Sequence, residues 1–175
     1  APKDMVQCKF WGLGGDGTVG ANKNSIKIIG DHTDKYIQAY FQYDSKKTSG
    51  ITISHLRFGD NPIKSPYYIN KADFVACHNQ AYLKKYDMVS DVKPGGTFLL
   101  DCQWNGVEEL SAHLPAAVKK YLAENGINFY TIDATSLAIK QIGNAKVKNT
   151  ILQSAFFALA KILPAEEAIE YMKKM

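Results

Sequence analysis

The stretch VQCKFWGLGGDGTVGANK at residues 6–23 determines the expected fold. Residues 6–11 form a short apolar run typical of a buried strand, and five glycines follow between Gly12 and Gly20. Glycine has no Cβ, so it permits a sharp turn and lets a ligand approach the backbone. The segment therefore predicts a strand, a turn and a helix, with backbone N–H groups and a helix dipole that favour a phosphate or carboxylate.

Short apolar runs alternate with longer ones along the rest of the chain, as expected for strands interleaved with helices. No helical pattern separates the runs 36–43 and 51–58, so these two strands are predicted to pair antiparallel. The order of elements predicts an α/β fold, a three-layer α/β/α sandwich with a mixed, mostly parallel sheet. The other predicted strands are 74–77, 97–100 (introduced by a tight turn at 93–96) and 127–132, and the predicted helices are 25–29, 79–89, 115–125, 134–142, 149–163 and 165–174.

The composition is that of a globular protein, with 46% hydrophobic and 22% charged residues among 175. This length fits a single domain over residues 1–175 with its own core. The net charge of +4 is small and the lysines are dispersed, so the charge predicts no nucleic-acid partner. No run approaches the roughly 18 apolar residues of a membrane span, and the first ten residues lack an apolar signal region. We therefore expect a cytoplasmic protein without a membrane partner.

The three cysteines predict neither disulfides nor a metal site. Cys8, Cys77 and Cys102 are far apart in sequence and lie in or beside apolar segments, where a buried free thiol is expected. The sequence contains no CxxC motif, and its four histidines are dispersed, so no metal-ligand spacing is present. No nucleophile elbow or serine triad order is present either. The sequence thus predicts no catalytic residue in this chain.

The glycines also match a dinucleotide-binding pattern. The pattern GxGxxG is satisfied after a strand by Gly12, Gly14 and Gly17, as in Rossmann-like proteins. Asp44 lies 27 residues beyond Gly17, roughly where an acidic residue would hold a ribose. A P-loop is excluded, because residues 21–22 read Ala-Asn where Lys and Ser or Thr are required. An anion- or cofactor-binding loop and a turn that serves only strand–helix packing both stay open.

Basic residues near predicted strand ends are further candidates for anion binding. Lys46 and Lys47 lie in the polar loop between the two antiparallel strands, where adjacent ammonium groups suit a phosphate. An ordinary solvated hairpin loop is the alternative. Arg57 lies near the end of the second of these strands and could bind a carboxylate or phosphate, or pair with Asp60 or Asp73.

Several motifs in order resemble the gamma domain of pyruvate:ferredoxin (flavodoxin) oxidoreductase. They are GLGGDGTVGANK at 12–23, YDSKK at 43–47, SHLRFG at 54–59, ADFVACH at 72–78 and the region 148–167. The resemblance covers nearly the whole chain, and the first motif is more similar to the pyruvate enzymes than to the 2-oxoglutarate or branched-chain enzymes. It implies a domain excised from a longer polypeptide, or a separate subunit, of an enzyme that oxidatively decarboxylates a 2-oxoacid to an acyl-CoA and reduces ferredoxin or flavodoxin.

The resemblance also implies a division of labour within that enzyme. Thiamine diphosphate, magnesium and the 4Fe-4S clusters are expected on other domains or subunits, which are the expected partners, and the isolated chain is expected to be inactive. This chain is expected to contribute to coenzyme A binding. The alternatives are a stand-alone dinucleotide-binding dehydrogenase domain and a domain that only docks its partners. The residues expected around the coenzyme A phosphates are Gly12, Gly14, Gly15, Asp16, Gly17, Thr18, Val19, Gly20, Asn22, Lys23, Lys46, Lys47 and Arg57.

Overall fold

The computed structural model describes residues 5–14, 16–43, 50–64, 67–134, 136–137, 145–160, 167 and 170. Within these ranges the strands are β1 Val6–Leu13, β2 Tyr36–Tyr43, β3 Ile51–Gly59, β4 Ala72–Cys77, β5 Val92–Asp101 and β6 Asn128–Ile132. They form one sheet in the order β2-β3-β1-β4-β5-β6. The helices are α1 Thr18–His32, α2 Gly106–His113, α3 Ala116–Glu124 and α4 Ala145–Ala160, with 3₁₀ helices at Gln80–Lys84 and Val89–Asp91.

The sheet is mixed and mostly parallel, as the sequence predicts. β2 pairs antiparallel with β3, and β3 pairs antiparallel with β1, whereas β1, β4, β5 and β6 run parallel. Consequently the carboxyl ends of the four parallel strands lie at one edge of the sheet, together with the connection between β2 and β3. This arrangement brings the segment after β1 next to the segments that follow β4 and β5.

Helices cover both faces of the sheet and complete the predicted three layers. On one face, α1 and α4 bury Ile28 and Phe156 against strand residues such as Phe74. On the opposite face, α3 and the 3₁₀ helices pack against a second core that includes Val75 and Phe98. Neighbouring residues of one strand point to opposite faces, so each buried strand serves both cores.

In place of the single helix predicted at residues 79–89, the structure has two short 3₁₀ helices, Gln80–Lys84 and Val89–Asp91. Tyr82 and Leu83 are buried in the first, and Met88 and Val89 are buried in or next to the second. These pairs are six residues apart, and six residues of an α-helix rotate by about 240°, which would turn the second pair away from the core. The break at residues 85–87 lets both pairs reach it.

The predicted turn at residues 93–96 lies inside a strand. β5 begins at Val92, pairs there with Ala72, and resumes its pairing with β4 at Thr97 after extra residues. Gly95, at φ +78°, lies in this bulge and its N–H donates to the carbonyl oxygen of Asn125. The turn-forming residues thus produce a bulge instead of starting the strand.

Other predictions are confirmed in part. The Asp133 side chain accepts a hydrogen bond from Ser136 N at 3.0 Å, as expected for a helix cap, but most of residues 134–142 and 165–174 lie outside the described residues. α2 was not predicted from the sequence, and none of its residues is buried, so it lacks the apolar pattern that identifies a helix. The three cysteines are free and buried, as predicted. Among the helices that the structure describes, none has both the length and the apolar character to cross a membrane.

Candidate functional site

The carboxyl ends of β1 and β4 define a crevice. After β1 the chain passes through the glycine turn at residues 12–17 into α1 and then β2 and β3 on one side, whereas β4 and β5 lie on the other side of β1. In open α/β sheets, ligands bind outside the carboxyl ends of the strands where the strand order diverges in this way. The segments 12–18, 78–80, 101–103 and 148–149 are called the carboxyl edge below.

Asp16 lies at the centre of the glycine turn and is bonded to its own neighbours. Its Oδ2 accepts a hydrogen bond from Leu13 N at 2.9 Å, and its Oδ1 accepts one from Thr18 N at 2.8 Å. Asp16 N in turn donates to the carbonyl oxygen of Leu13 at 3.0 Å. The carboxylate therefore satisfies the first amide of α1 and places a negative charge at the positive end of the helix dipole. Of the residues expected around a phosphate, Asp16 and Thr18 thus already use their backbone N–H groups in hydrogen bonds within the turn.

Two glycines of the turn are required by packing. A Cβ on Gly12 would lie 2.5 Å from a side-chain atom of α1, and a Cβ on Gly17 would lie 2.6 Å from Asn149 Nδ2. Gly17 also has φ +87°, which disfavours residues with a side chain. Asn149 Nδ2 donates to the carbonyl oxygen of Asp16 at 3.0 Å and so joins α4 to the turn. At Gly20, by contrast, no heavy atom of the described residues lies within 4 Å of a Cβ position.

The loop between β2 and β3 begins and ends at the carboxyl end of β1, where the glycine turn lies. β2 reaches this edge at Tyr43, and Gly50, the first residue described after the loop, accepts a hydrogen bond of 2.8 Å from Gly14 N. Lys46 and Lys47 belong to this loop and lie outside the described residues. The structure therefore attaches the second end of this loop to the turn and places its first end at the same edge of the sheet, one strand further away.

The remaining predicted residues of α1 differ in exposure. The Lys23 ammonium lies 5.4 Å from the centre of the Phe41 ring and is close to the surface. Asn22 is 2% exposed and faces the inside of the domain, so it lies apart from any surface ligand. Val19 is half-buried in the first turn of the helix. Two further residues considered from the sequence, Gly15 and Asp44, lie outside the described residues.

Arg57 lies far from the carboxyl edge. It is paired in the sheet with Gln7, five residues before Gly12 on β1, which corresponds to about 17 Å along the strand. Its Nε donates to Gln7 Oε1 at 3.0 Å and its Nη1 donates to Gln38 Oε1 at 2.8 Å. Neither of the two aspartates considered from the sequence is its partner. The structure thus does not bring Arg57 to the other predicted site residues.

A polar cleft of about 180 Å³ opens at the carboxyl edge on the side of β4 and β5. Its walls come from the ends of these two parallel strands and from the first part of α4. It was not predicted as a site from the sequence. The lining residues are His78, Asn79, Gln80, Asp101, Cys102, Gln103 and Lys148.

Lys148 and Asp101 form an ion pair within this cleft. Lys148 Nζ lies 3.2 Å from Asp101 Oδ2 and 3.5 Å from the carbonyl oxygen of His78. The other carboxylate oxygen of Asp101 accepts a hydrogen bond from Ala134 N at 3.0 Å. Burial raises the pKa of the Asp101 carboxyl above its usual value, whereas Lys148 and the Ala134 N–H lower it. The Lys148 side chain is 30% exposed, so part of its ammonium stays accessible to a ligand.

His78 connects the cleft to the glycine turn. Its Nδ1 lies 3.0 Å from Thr18 Oγ1, and its backbone N–H donates to the carbonyl oxygen of Trp11. Burial lowers the pKa of His78 to about 4; Lys148 lowers it as well, and Asp16 opposes the shift. The imidazole is therefore neutral at pH 7. It positions α1 against the end of β4 without adding charge to the site.

The chemistry available in the cleft is that of binding. Burial raises the pKa of the Cys77 thiol to about 12, and burial also raises the pKa of Cys102. Both thiols are protonated near neutral pH and are not activated nucleophiles. Among the described lining residues, amides and a partly exposed ammonium remain to hold a polar or anionic ligand.

One sequence signal could have located the cleft. His78 and Asp101 stand where runs of mostly buried strand residues end, at 72–77 and 98–100. Polar residues at the carboxyl ends of parallel strands converge on one edge of the sheet. Lys148 gives no such signal, because it is 70 residues from His78 in sequence and only the packing of α4 brings them together.

Comparisons with known proteins agree on one family. Residues 7–175 match the family model described as pyruvate ferredoxin/flavodoxin oxidoreductase. The chain is 59% identical over 167 residues to a pyruvate-flavodoxin oxidoreductase of Enterobacter agglomerans, covering 95% of this chain and 14% of that protein. It is 54% identical over 173 residues to a pyruvate:ferredoxin oxidoreductase of Moorella thermoacetica, covering 99% of this chain and 15% of that protein. The chain thus spans about one-seventh of the length of these relatives.

Solved structures share the fold. A pyruvate oxidoreductase subunit of Thermotoga maritima superposes with a TM-score of 0.69 at 22% identity, covering 96% of this chain and 83% of that one. The gamma subunit of a keto/oxoacid ferredoxin oxidoreductase of Geobacter sulfurreducens gives 0.67 at 21% identity, covering 97% and 91%. A 2-oxoglutarate:ferredoxin oxidoreductase of Magnetococcus marinus, solved with 2-oxoglutarate, coenzyme A and succinyl-CoA, gives 0.60 at 15% identity, covering 98% and 31%. The resemblance identified from the sequence motifs is confirmed.

Proposed function

We propose, because the chain belongs to the pyruvate ferredoxin/flavodoxin oxidoreductase family, that it is the gamma domain of an enzyme that oxidatively decarboxylates pyruvate to acetyl-CoA and reduces ferredoxin or flavodoxin. The observation that carries this proposal is 59% identity over nearly the whole chain to a protein of that name. Residues 1–175 would form one domain of a longer polypeptide, since the chain spans only 14% of that relative. Thiamine diphosphate, magnesium and the 4Fe-4S clusters would be held elsewhere in the enzyme, and a cytoplasmic location stays a prediction.

The contribution proposed for this domain is coenzyme A binding at the carboxyl edge. Coenzyme A carries a diphosphate and a 3′-phosphate, and the loop with Lys46 and Lys47 is attached to this edge through the bond between Gly14 and Gly50. A structural neighbour was solved with coenzyme A bound, although its likeness to this chain is one of fold. The ammonium of Lys148 is a further candidate contact in the adjoining cleft.

The dinucleotide-binding dehydrogenase that the glycines also allowed is disfavoured. In that class the pyrophosphate lies on the amides at the start of the first helix. Here Asp16 already accepts the hydrogen bond of Thr18 N and presents a like charge to a phosphate at that point. Family membership points the same way.

Coenzyme A kinetics of the whole enzyme test the proposal. Replacing both Lys46 and Lys47 by alanine should raise the half-saturating coenzyme A concentration at least tenfold, because each charge-assisted contact contributes about 1.5–3 kcal/mol. The half-saturating pyruvate concentration should stay the same. Lys35→Ala is a matched control, because this lysine pairs with Asp60 away from the carboxyl edge.

Two outcomes would contradict the proposal in different ways. An unchanged coenzyme A requirement in the double variant would remove the two lysines from the site. Failure of the unaltered enzyme to reduce a viologen dye with pyruvate and coenzyme A would contradict the activity itself.

A further inference from the structure

Among the described residues, α1 and α4 pack on one face of β2 and β3, and the other face of these two strands carries polar side chains around Arg57. Successive residues of a strand point to opposite faces of the sheet, so the residues between those that face α1 and α4 lie on the other face. Arg57 and His55 of β3 are among them. The segment Tyr67–Ile69 lies over them: Ile69 N donates to His55 Nδ1 at 3.1 Å, and the Tyr68 ring stacks on the His55 ring at 4.7 Å. The polar residues of this face are thus covered by a short irregular segment.

Arg57 is a buried cation without a counter-ion among the residues that the structure describes. It is 1% exposed, and its hydrogen-bond partners are the neutral side chains of Gln7 and Gln38. Its Nη2 is buried and has no hydrogen-bond partner in the described part of the chain. Burial lowers the pKa of the Arg57 guanidinium, the direction expected when a charge is held in a poorly solvated place. A buried charge of this kind is stabilised when an opposite charge approaches it.

One tyrosine lies over this cation, a second lies over the neighbouring His55, and both are exposed to solvent. The Tyr67 ring centre lies 5.0 Å from the Arg57 guanidinium carbon, and this tyrosine is 61% exposed. Tyr68 is 47% exposed and meets the Tyr40 ring edge-on, in addition to its stack on His55. Exposed aromatic side chains that are already fixed lose little entropy on binding, which is why tyrosine and arginine are enriched at the centres of protein interfaces.

We propose that Arg57, Tyr67 and Tyr68 form a docking face for another domain of the same enzyme, one that presents acidic side chains next to apolar ones. The apolar side chains would cover the two tyrosine rings, and a carboxylate at the rim of Tyr67 would neutralise Arg57. This inference rests on the proposed function for the identity of the partner, since the relatives are about seven times longer than this chain. A second copy of the chain docked symmetrically through this face would add a second Arg57 cation to the interface and, from the described residues of this face, no carboxylate to neutralise either one, which is less favourable than an acidic partner.

Photo-crosslinking in the whole enzyme tests the docking face. With p-benzoylphenylalanine in place of Tyr67, irradiation should join this position to a peptide from outside residues 1–175 of the same enzyme. The matched control places the same group at Tyr130, which is 45% exposed on β6 at the opposite edge of the sheet, and it should not join to that peptide. Products confined to residues 1–175, products that join two copies of this face, or no product would each overturn the proposal.

The role of the Arg57 charge is tested in the enzyme that carries p-benzoylphenylalanine in place of Tyr67. Arg57→Gln should lower the yield several-fold, whereas Arg57→Lys, which keeps the charge, should retain most of it. Equal losses in the two variants would overturn the proposed acidic partner. Reduction of a dye by the unaltered enzyme with pyruvate and coenzyme A is measured separately, so a failure of the proposed activity is distinguished from a failure of the docking face.

Discussion

Replacing Gly17 by alanine should destabilise the chain, whereas the same change at Gly20 should not. Gly17 has φ +87°, and an L-residue in this region costs about 1–2 kcal/mol. The new Cβ would also lie 2.6 Å from Asn149 Nδ2, so the hydrogen bond from Asn149 to Asp16 is disrupted, which costs about 1 kcal/mol. We expect Gly17→Ala to lower the free energy of unfolding by about 2–3 kcal/mol.

Gly20 provides the matched control, because it lies in the first turn of the helix that Gly17 precedes, is exposed and has open space at its Cβ position. Alanine there should stabilise the helix by about 0.5–1 kcal/mol. Urea unfolding of the two variants, followed by the fluorescence of the buried Trp11, should give midpoints that differ by about 1–2 M. In an Asn149→Ala background the penalty at Gly17 should shrink to its backbone part. If Gly17→Ala were as stable as Gly20→Ala, the packing role assigned to the turn would be wrong.

Three further outcomes are expected. Burial lowers the pKa of His78 and of His55 to about 4, so between pH 6.5 and pH 4 the unfolded chain binds more protons than the folded chain. The free energy of unfolding should therefore fall as the pH is lowered through this range, by about 3 kcal/mol from His78 and by a further amount from His55. Urea titrations at several pH values would show this, and a flat profile would contradict the buried neutral state. Lys148→Met should cost about 1–3 kcal/mol at pH 7, and the cost should shrink as the pH falls, because the raised pKa of Asp101 rises further without the ammonium and protonation removes the unpaired charge. Asp101→Asn in the same background should recover part of the loss at pH 7. The thiol of Cys77, with its pKa raised to about 12, should resist a thiol reagent in the native chain at pH 8 and react after unfolding; fast reaction in the native chain would contradict its burial.

The strand–turn–helix unit and the pairing of β2 with β3 were predictable from the sequence. Both rest on local patterns: an apolar run that leads into glycines, and two neighbouring strands with no helix between them. The role of Asp16 was not predictable from the same pattern. Dense glycines serve a phosphate-binding loop and a packing turn equally well, and only coordinates show that the carboxylate bonds to Leu13 N and Thr18 N.

The cleft shows a different limit of sequence reasoning. The ends of β4 and β5 could be located from their apolar runs, and the convergence of their following residues is a property of parallel sheets. The ion pair between Lys148 and Asp101 depends on how α4 packs across the sheet, which no local pattern specifies. Residue pairs that are distant in sequence are therefore the part of the site that needs a structure.

The carboxylates at the carboxyl edge determine where a phosphate can be attracted. Asp16 already faces the positive end of α1, and Asp101, at 5% exposure, already pairs with Lys148. A phosphate that took the place of Asp16 at Thr18 N, or of Asp101 at Lys148, would leave a carboxylate without its partner, and for a buried carboxylate this costs several kcal/mol. A phosphate could use the exposed part of the Lys148 ammonium only by sharing it with Asp101. A phosphate that meets the lysines of the loop between β2 and β3 displaces neither carboxylate. We therefore expect the lysines of this loop to supply the positive charge that attracts a phosphate. The glycine turn would hold the loop in place through the hydrogen bond from Gly14 N to the carbonyl oxygen of Gly50.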